Sequence, residues 1–244
     1  MLALGALTAR GADSELRIPP LPIHLDLEGR PLAVVISGTV SMAAGRGEQV
    51  LRAGLNADLS DLQRNLTDVL KAGLDQNERC GERISVQNAT LVPQAPSGTL
   101  TVNLHVERWG CVKALGREIV KKLVGGDGTV VVRLTPQVED DDTLRMQAEV
   151  VSVDATGQLG DLLHSGQYGD ALREKVRKTI VSALRKITDL KASLPPALRD
   201  MVDIRGAEFR DGGSGKLLLA LTSEARLPEE QARALLDRLK SEVK

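Results

Sequence analysis

Aromatic side chains are almost absent from this chain, and their scarcity limits how its core can be built. Among 244 residues the only members of the Phe, Trp and Tyr class are Trp109, Tyr168 and Phe209, although 42% of the residues are hydrophobic. All three fall at the margins of the predicted elements, which predicts an interior made only of Leu, Val, Ile and Ala. Such an interior cannot stack a sugar, a base or a flat cofactor as aromatic faces do. It can pack against other aliphatic chains.

Charge and hydropathy patterning exclude two classes of protein. The chain carries 32 basic and 33 acidic residues for a net charge of −1, which is unlike a nucleic-acid-binding protein. The sequence contains no run of about 18 apolar residues, so it predicts no membrane-spanning helix. Residues 1–14, MLALGALTARGADS, resemble the end of a secretory signal without its basic region, or alternatively form a frayed terminus. The remainder, residues 15–244, is predicted to be one domain.

The two cysteines predict one disulfide. Cys80 and Cys111 are 31 residues apart, each lies just beyond a predicted regular element, and no CxxC or Cys/His cluster indicates zinc. In an oxidising compartment they would be joined, and a signal-like start points to the same compartment. The alternative is two unconnected buried thiols in a cytosolic protein. The expected location is therefore periplasmic or secreted.

Alternating apolar and polar residues predict about ten strands, in consecutive antiparallel runs. The cleanest alternation covers Thr99 to Arg108, and Pro19, Pro20 and Pro22 restrict the first strand to a sheet edge or to a strand start. Further strands are predicted over residues 21–28, 32–42, 49–57, 83–92, 130–132 and beyond, 144–153, 202–210 and 216–222.

Apolar spacings of three and four predict three amphipathic helices. The first follows a cap at Asp58 or Ser60 and runs to about Gln76, and a long one spans about Tyr168 to Leu190. A terminal helix begins near Pro228. Residues 158–166 are predicted to form a small turn or helix.

Two segments are predicted to be turns, and a third fits more than one kind of element. Residues 116–124 fit either a short helix or a strand, and a hairpin is favoured. The following GGDG, residues 125–128, is predicted to be a hairpin turn because glycine tolerates positive φ. The acidic run Glu139–Asp142 is predicted to be a solvated turn, since it lacks the spaced ligands of a calcium loop. Together the elements predict an α+β fold with a curled, antiparallel, meandering sheet wrapped around long amphipathic helices.

No catalytic signature stands out. The three histidines, His24, His105 and His164, share no metal-ligand spacing, and each is predicted to be exposed. There is no GxSxG elbow and no phosphate-binding loop. A dispersed Ser–His–Asp arrangement would leave no trace in the spacing. We therefore expect no catalytic residues, no metal, no cofactor and no enzymatic activity.

The element order resembles that of the tubular lipid-binding (TULIP) superfamily, which includes the BPI-like and SMP-domain proteins and bacterial envelope relatives. The strands at 99–108 and 143–153, the helix at 168–190, and the unit VDIRGAEFRDGGSGKLLLALTSEARLPEEQARALLDRLK at 202–240 carry the likeness. The resemblance implies that a lipid or another hydrophobic small molecule is held, or transferred, in an apolar groove between helix and sheet.

The groove implied by this resemblance has a definite set of lining residues. They are the apolar positions of two strands and the long helix: Leu100, Val102, Leu104, Val106, Leu144, Met146, Val150, Leu172, Val176, Ile180 and Leu184. An acyl chain entering such a groove would gain roughly 0.8 kcal/mol per buried CH₂. The alternative is a non-catalytic structural or adaptor protein of the cell envelope, in which the same side chains fill one another's space and the partner is an envelope protein or a membrane surface.

Overall fold

The computed structural model describes residues 14–27, 30–44, 49–114, 117–139, 143–164, 166–188 and 203–242. Within these ranges the chain forms ten strands: β1 Ser14–Leu27, β2 Arg30–Ala44, β3 Gln49–Asp58, β4 Gln76–Asn77, β5 Gly81–Gln94, β6 Ser97–Ala114, β7 Arg117–Val138, β8 Leu144–Ala155, β9 Ile204–Asp211 and β10 Leu217–Leu227. Four helices are interspersed: α1 Ser60–Leu74, α2 Gly157–His164, α3 Gln167–Thr188 and α4 Glu229–Glu242. The leader-like residues 1–13 lie outside the described part of the chain.

The strands form two antiparallel sheets of five strands each. The first sheet has the order β1-β2-β3-β10-β9 and the second the order β4-β5-β6-β7-β8. The proline-rich β1 is an edge strand, as predicted, and residues 117–124 of the ambiguous segment form the beginning of the long strand β7. None of the described helices is both long enough and apolar enough to cross a membrane.

The predicted fold class is wrong. Within the described residues the protein is mostly β, with ten strands and four short helices, and its two sheets are not wrapped around long amphipathic helices. The error arises from pairing between distant segments. The final hairpin joins the first sheet, where Leu221 of β10 lies opposite Leu55 of β3. Alternation within a strand shows that one face is buried, but it does not name the strand's neighbours.

Helix α1 contacts both sheets. It packs against β5 of the second sheet and against β2 and β10 of the first, and it also touches α3. Its apolar stripe is almost fully buried, as predicted for an amphipathic helix: Leu62, Leu66, Val69, Leu70 and Leu74 are each at most 2% exposed. This stripe of α1 is therefore part of the core, and α3 packs beside it against β8 and β1.

Residues 125–128 are not a hairpin turn, contrary to the prediction. They lie inside β7, where Gly126 is paired with Val106 of β6. A Cβ placed on Gly126 would lie 3.4 Å from the Cβ of Leu159 in α2. The absence of a side chain there lets α2 approach the strand closely. Glycine in a strand often marks such an approach, and local sequence does not distinguish this use from a turn.

The interior is not purely aliphatic, because Phe209 is only 2% exposed. It lies on β9, which contacts β7, β5 and β6 of the opposite sheet. Its backbone N–H donates to the carbonyl oxygen of Pro96 at 2.9 Å. A residue next to a turn in the sequence was predicted to be marginal, yet tertiary packing buries it where the two sheets meet. The side chain of Tyr168 lies outside what the structure describes.

Candidate functional site

The predicted groove residues are core residues in the structure. On β6, Leu100, Val102, Leu104 and Val106 are 0–2% exposed, and the other buried members are Leu144 3%, Met146 7%, Leu172 5%, Val176 1% and Ile180 0%. All of these belong to one continuous hydrophobic cluster, against which the partly buried Val150 packs. The side chain of Leu184 is outside the described set. The structure thus brings the other ten predicted residues together, packed against one another.

Four clefts on the described surface are open to solvent, and none of these four is lined by a predicted groove residue. One cleft of about 400 Å³ lies beside β4, β5 and β6. Its lining is mainly polar or charged: Asp75, Gln76, Asn77, Arg83, Ile84, Ser85, His105 and Glu107. The cleft adjoins a polar cluster on the outer face of the second sheet, where the structure brings scattered sequence positions together.

The centre of the polar cluster is His105, which faces two carboxylates. Its Nδ1 lies 2.7 Å from Asp127 Oδ1 and its Nε2 lies 3.4 Å from Glu107 Oε1. The hydrogen bond to Asp127 is the main cause that raises the pKa of His105 above its usual value of 6.5. The same bond lowers the pKa of Asp127, to which Gln87 Nε2 also donates at 2.8 Å.

A serine, a histidine and an aspartate occupy adjacent positions on three strands of this face. Ser85 lies opposite His105, and His105 lies opposite Asp127. The arrangement differs from a nucleophilic triad in one decisive contact: the second ring nitrogen of His105 faces Glu107, and no hydrogen bond joins it to Ser85 among the described residues. A general base has to reach the proton of its nucleophile. The expectation of no enzymatic activity stays a prediction.

Glu107 connects this cluster to the outer end of the β6–β7 hairpin. Its carboxylate accepts hydrogen bonds from Lys122 Nζ at 2.5 Å and from Trp109 Nε1 at 2.8 Å. These two donors, Lys122 first, lower the pKa of Glu107 from 4.5 to about 2. The guanidinium of Arg83 lies 4.2 Å from the centroid of the Trp109 ring, a cation–π contact. The indole is therefore held on both its edge and its face.

We define the arm as residues 109–124, the end of the hairpin beyond this cluster. Residues 115 and 116, between its two strands, are outside the described ranges. Val112 pairs with Ile119, and Gly110 pairs with Lys121, so these side chains share one face. Leu123, at an irregularity in the register, leans over Gly110, since a Cβ at Gly110 would lie 3.1 Å from its Cδ1. We call the side chains of Val112, Ile119 and Leu123 the apolar face of the arm.

A disulfide fastens the arm to the start of β5. Cys80 and Cys111 are joined, with their Cα atoms 5.6 Å apart, which confirms the predicted pairing. Cys111 pairs with Val120 and so lies on the face opposite the apolar one. A second link is the ion pair between Arg79 and Glu118 at 3.2 Å. A disulfide is consistent with an oxidising, extracytoplasmic compartment.

Cys80, Cys111 and Glu118 together have the donor atoms of a metal site. Sγ of Cys80, Sγ of Cys111 and a carboxylate oxygen of Glu118 lie within 4.8 Å of one another. Metal ligation by cysteine requires the thiolate, and both sulfurs are committed to the disulfide. The geometry therefore describes a covalent fastening.

Comparisons with known proteins give no relative. No family model matches the chain, and no curated protein and no solved structure is similar to it at a significant level. The fold and site define an antiparallel two-sheet protein with a disulfide-fastened hairpin arm, and the resemblance to the tubular lipid-binding proteins remains a prediction.

Sequence reasoning missed the polar cluster and the arm. It treated His105 as an isolated exposed residue, whereas the structure makes it half-buried between Asp127 and Glu107. One signal was available: residues 111–124, CVKALGREIVKKLV, begin with the second cysteine and combine apolar residues with four cations. His24 is exposed, as predicted. The side chain of His164, at the end of α2, and residues 140–142 of the acidic run lie outside the described set.

Proposed function

We propose that this chain is a non-catalytic structural or adaptor protein of the periplasm or the extracellular space, which acts through its surface around a filled core. The observation that carries the proposal is the burial of the predicted groove residues against one another. Val102, Val176 and Ile180, from the strand and the helix that would line opposite walls, are each at most 1% exposed. A groove that accepts a lipid needs unoccupied space between such walls.

Two further features support a role for the surface. The disulfide supports an oxidising location. The arm exposes large aliphatic side chains at Val112, Ile119 and Leu123, which are 64%, 55% and 57% exposed. A cluster of exposed aliphatic side chains on a protein whose other large apolar residues are mostly buried often marks an interaction site.

The test distinguishes a filled core from a hollow one by truncation. Ile180→Ala in a filled core removes packed atoms and should destabilise the protein by about 2–5 kcal/mol. The same change in the wall of an open groove would cost much less, because the removed atoms had few partners. Urea unfolding followed by circular dichroism measures the difference. Val151→Ala is the matched control, since Val151 is 51% exposed and should change stability by less than about 0.5 kcal/mol.

Native mass spectrometry of the purified chain provides the second measurement. We expect the mass of the oxidised protein without a co-purified lipid, and no saturable binding of a fluorescent fatty acid. A stoichiometric lipid adduct, together with a small effect of Ile180→Ala, would overturn the proposal in favour of lipid binding between helix and sheet. Two titratable thiols in the protein isolated from its native compartment would contradict the proposed location.

A further inference from the structure

The arm concentrates the exposed aliphatic surface of the described protein. Five large hydrophobic side chains are exposed among the described residues, and three of them are the apolar face of the arm. The other two, Val92 and Val151, lie on different strands of the same sheet. Scattered single residues of that kind are ordinary, but three neighbours on a two-stranded projection are not.

The apolar face continues the core-facing row of β6 beyond the core. Along that row, Leu104 and Val106 are 1% and 2% exposed, whereas Val112 is 64% exposed. Residues of equal parity on a strand share a face. Among the described residues, other elements cover this row up to Val106, and the row is exposed at Arg108 and Val112.

Basic side chains surround the apolar face. Arg117 and Lys121 lie two residues to either side of Ile119 on β7, which places them on the same face. The arm contains four basic residues and one acidic residue, a net charge of +3 on a protein of net charge −1. Glu118 is paired with Arg79 and Lys122 with Glu107, whereas Arg117 and Lys121 make no ion pair among the described residues.

We propose that the apolar face of the arm docks on the surface of an anionic phospholipid bilayer. Arg117 and Lys121 meet headgroup phosphates, while Val112, Ile119 and Leu123 enter the boundary between headgroups and acyl chains. Apolar area and attraction to anionic lipids together set such binding. On the opposite face, the disulfide and the contacts of Glu107 in the polar cluster fasten the arm to the rest of the sheet. The arm therefore presents its apolar face without first having to become ordered.

Other occupants fit the arm less well. A second copy docked through the same face would bring Arg117 and Lys121 of one arm against those of the other, which is unfavourable. A single-stranded nucleic acid would need stacking platforms, and the one aromatic ring of the arm, Trp109, is covered by Arg83. The inference rests on the proposed surface role of the protein and specifies its partner.

Vesicle co-sedimentation of the full oxidised chain tests the proposal. We expect binding to vesicles of equimolar phosphatidylcholine and phosphatidylglycerol, and much weaker binding to phosphatidylcholine alone. Each basic residue near an anionic surface should contribute about fivefold to the partition coefficient. Binding should weaken sharply between about 0.1 M and about 1 M salt, where the Debye length falls from about 10 Å to about 3 Å.

Matched variants locate the surface. Ile119→Thr keeps a β-branched residue in the strand and should weaken partitioning about fivefold, since roughly half of the side chain is available for burial. Lys121→Gln should weaken partitioning by a similar factor and reduce its salt dependence. Val151→Thr and Arg133→Gln change an exposed aliphatic residue and an exposed cation elsewhere on the same sheet, and both should bind like the original protein.

Several outcomes would overturn the inference. These are no binding to anionic vesicles, equal binding to both vesicle types, or an effect of Ile119→Thr no larger than that of Val151→Thr. A dimer that Ile119→Thr dissociates in the absence of vesicles would assign the face to self-association instead. Because the truncation test on Ile180 uses no membrane, a failure of vesicle binding leaves the filled core intact, and the two proposals can fail separately.

Discussion

Gln63 is the side chain that ties α1 to both sheets, and its removal gives the sharpest stability prediction. Its Nε2 donates to the carbonyl oxygens of Leu91 on β5 and Gly215 in the β9–β10 turn, at 2.8 and 2.9 Å. Its Oε1 accepts from the backbone N–H of Leu217 on β10 at 2.9 Å. One amide thus satisfies three backbone groups from two different sheets.

Gln63→Met keeps the volume and the helix propensity but leaves these three backbone groups without their partner. A partly buried group that loses its hydrogen bond costs about 1 kcal/mol, so the free energy of unfolding should fall by about 3 kcal/mol. Arg64→Met is the matched control on the next residue of α1. Arg64 pairs with Asp61, but its side chain is 69% exposed, and an exposed pair contributes at most about 1 kcal/mol.

Equilibrium unfolding in urea measures both variants. The midpoint should fall for Gln63→Met, with an unchanged slope because the same surface is exposed on unfolding. If Gln63→Met cost no more than Arg64→Met, the argument that this amide joins the sheets would be refuted. A changed slope would instead mean that the two sheets no longer unfold together, which is also contrary to the expectation.

Three further predictions concern His105 and Glu107 of the polar cluster and a glycine of the first sheet. An NMR titration should give His105 a pKa above 6.5, and the Asp127→Asn variant should have a lower His105 pKa than the original protein. The stability that this contact contributes is complete below about pH 6.5 and is lost as the pH rises through the raised pKa. Glu107 has the opposite pH dependence. Its contribution to stability is present above pH 4.5, the pKa of the carboxyl in the unfolded chain, and is lost as the pH falls towards the folded-state pKa of about 2. An acid titration followed by NMR measures this pKa. Gly38→Ala should cost about 1–3 kcal/mol, because a Cβ there would overlap the carbonyl oxygen of Gly54, whereas Gly54→Ala meets nothing closer than 3.9 Å. Equal urea midpoints for the two glycine variants, or an unchanged His105 pKa in Asp127→Asn, would contradict these arguments.

Local periodicity was sufficient for most of the elements, although it failed for residues 125–128, which lie inside β7. Alternation along Thr99 to Arg108 predicted the central part of β6, and the spacing of apolar residues predicted α1 and α3 close to their observed bounds. Both patterns record which side chains face the interior, and that information is contained in a single segment. The cysteine pairing was also accessible, because two cysteines allow only one intramolecular disulfide.

The candidate site was not accessible in the same way. Ser85, His105 and Asp127 come from three different strands, and only the register of β5, β6 and β7 places them side by side. The exposure of Ile119 is equally non-local. An apolar residue in an alternating strand is predicted to be buried, and it is exposed here because the arm extends past the elements that cover the rest of the row.

By itself, the sequence predicted an aliphatic interior, most of the alternating strands, the apolar stripes of the helices and the single disulfide that two cysteines allow. Tertiary structure alone decided that the last hairpin pairs with β3, that Phe209 enters the core between the sheets, and that the described residues of the predicted groove pack against one another. The physical reason is that burial of aliphatic side chains is nearly non-directional. It fixes which faces must be covered, whereas backbone hydrogen bonds between distant segments fix what covers them.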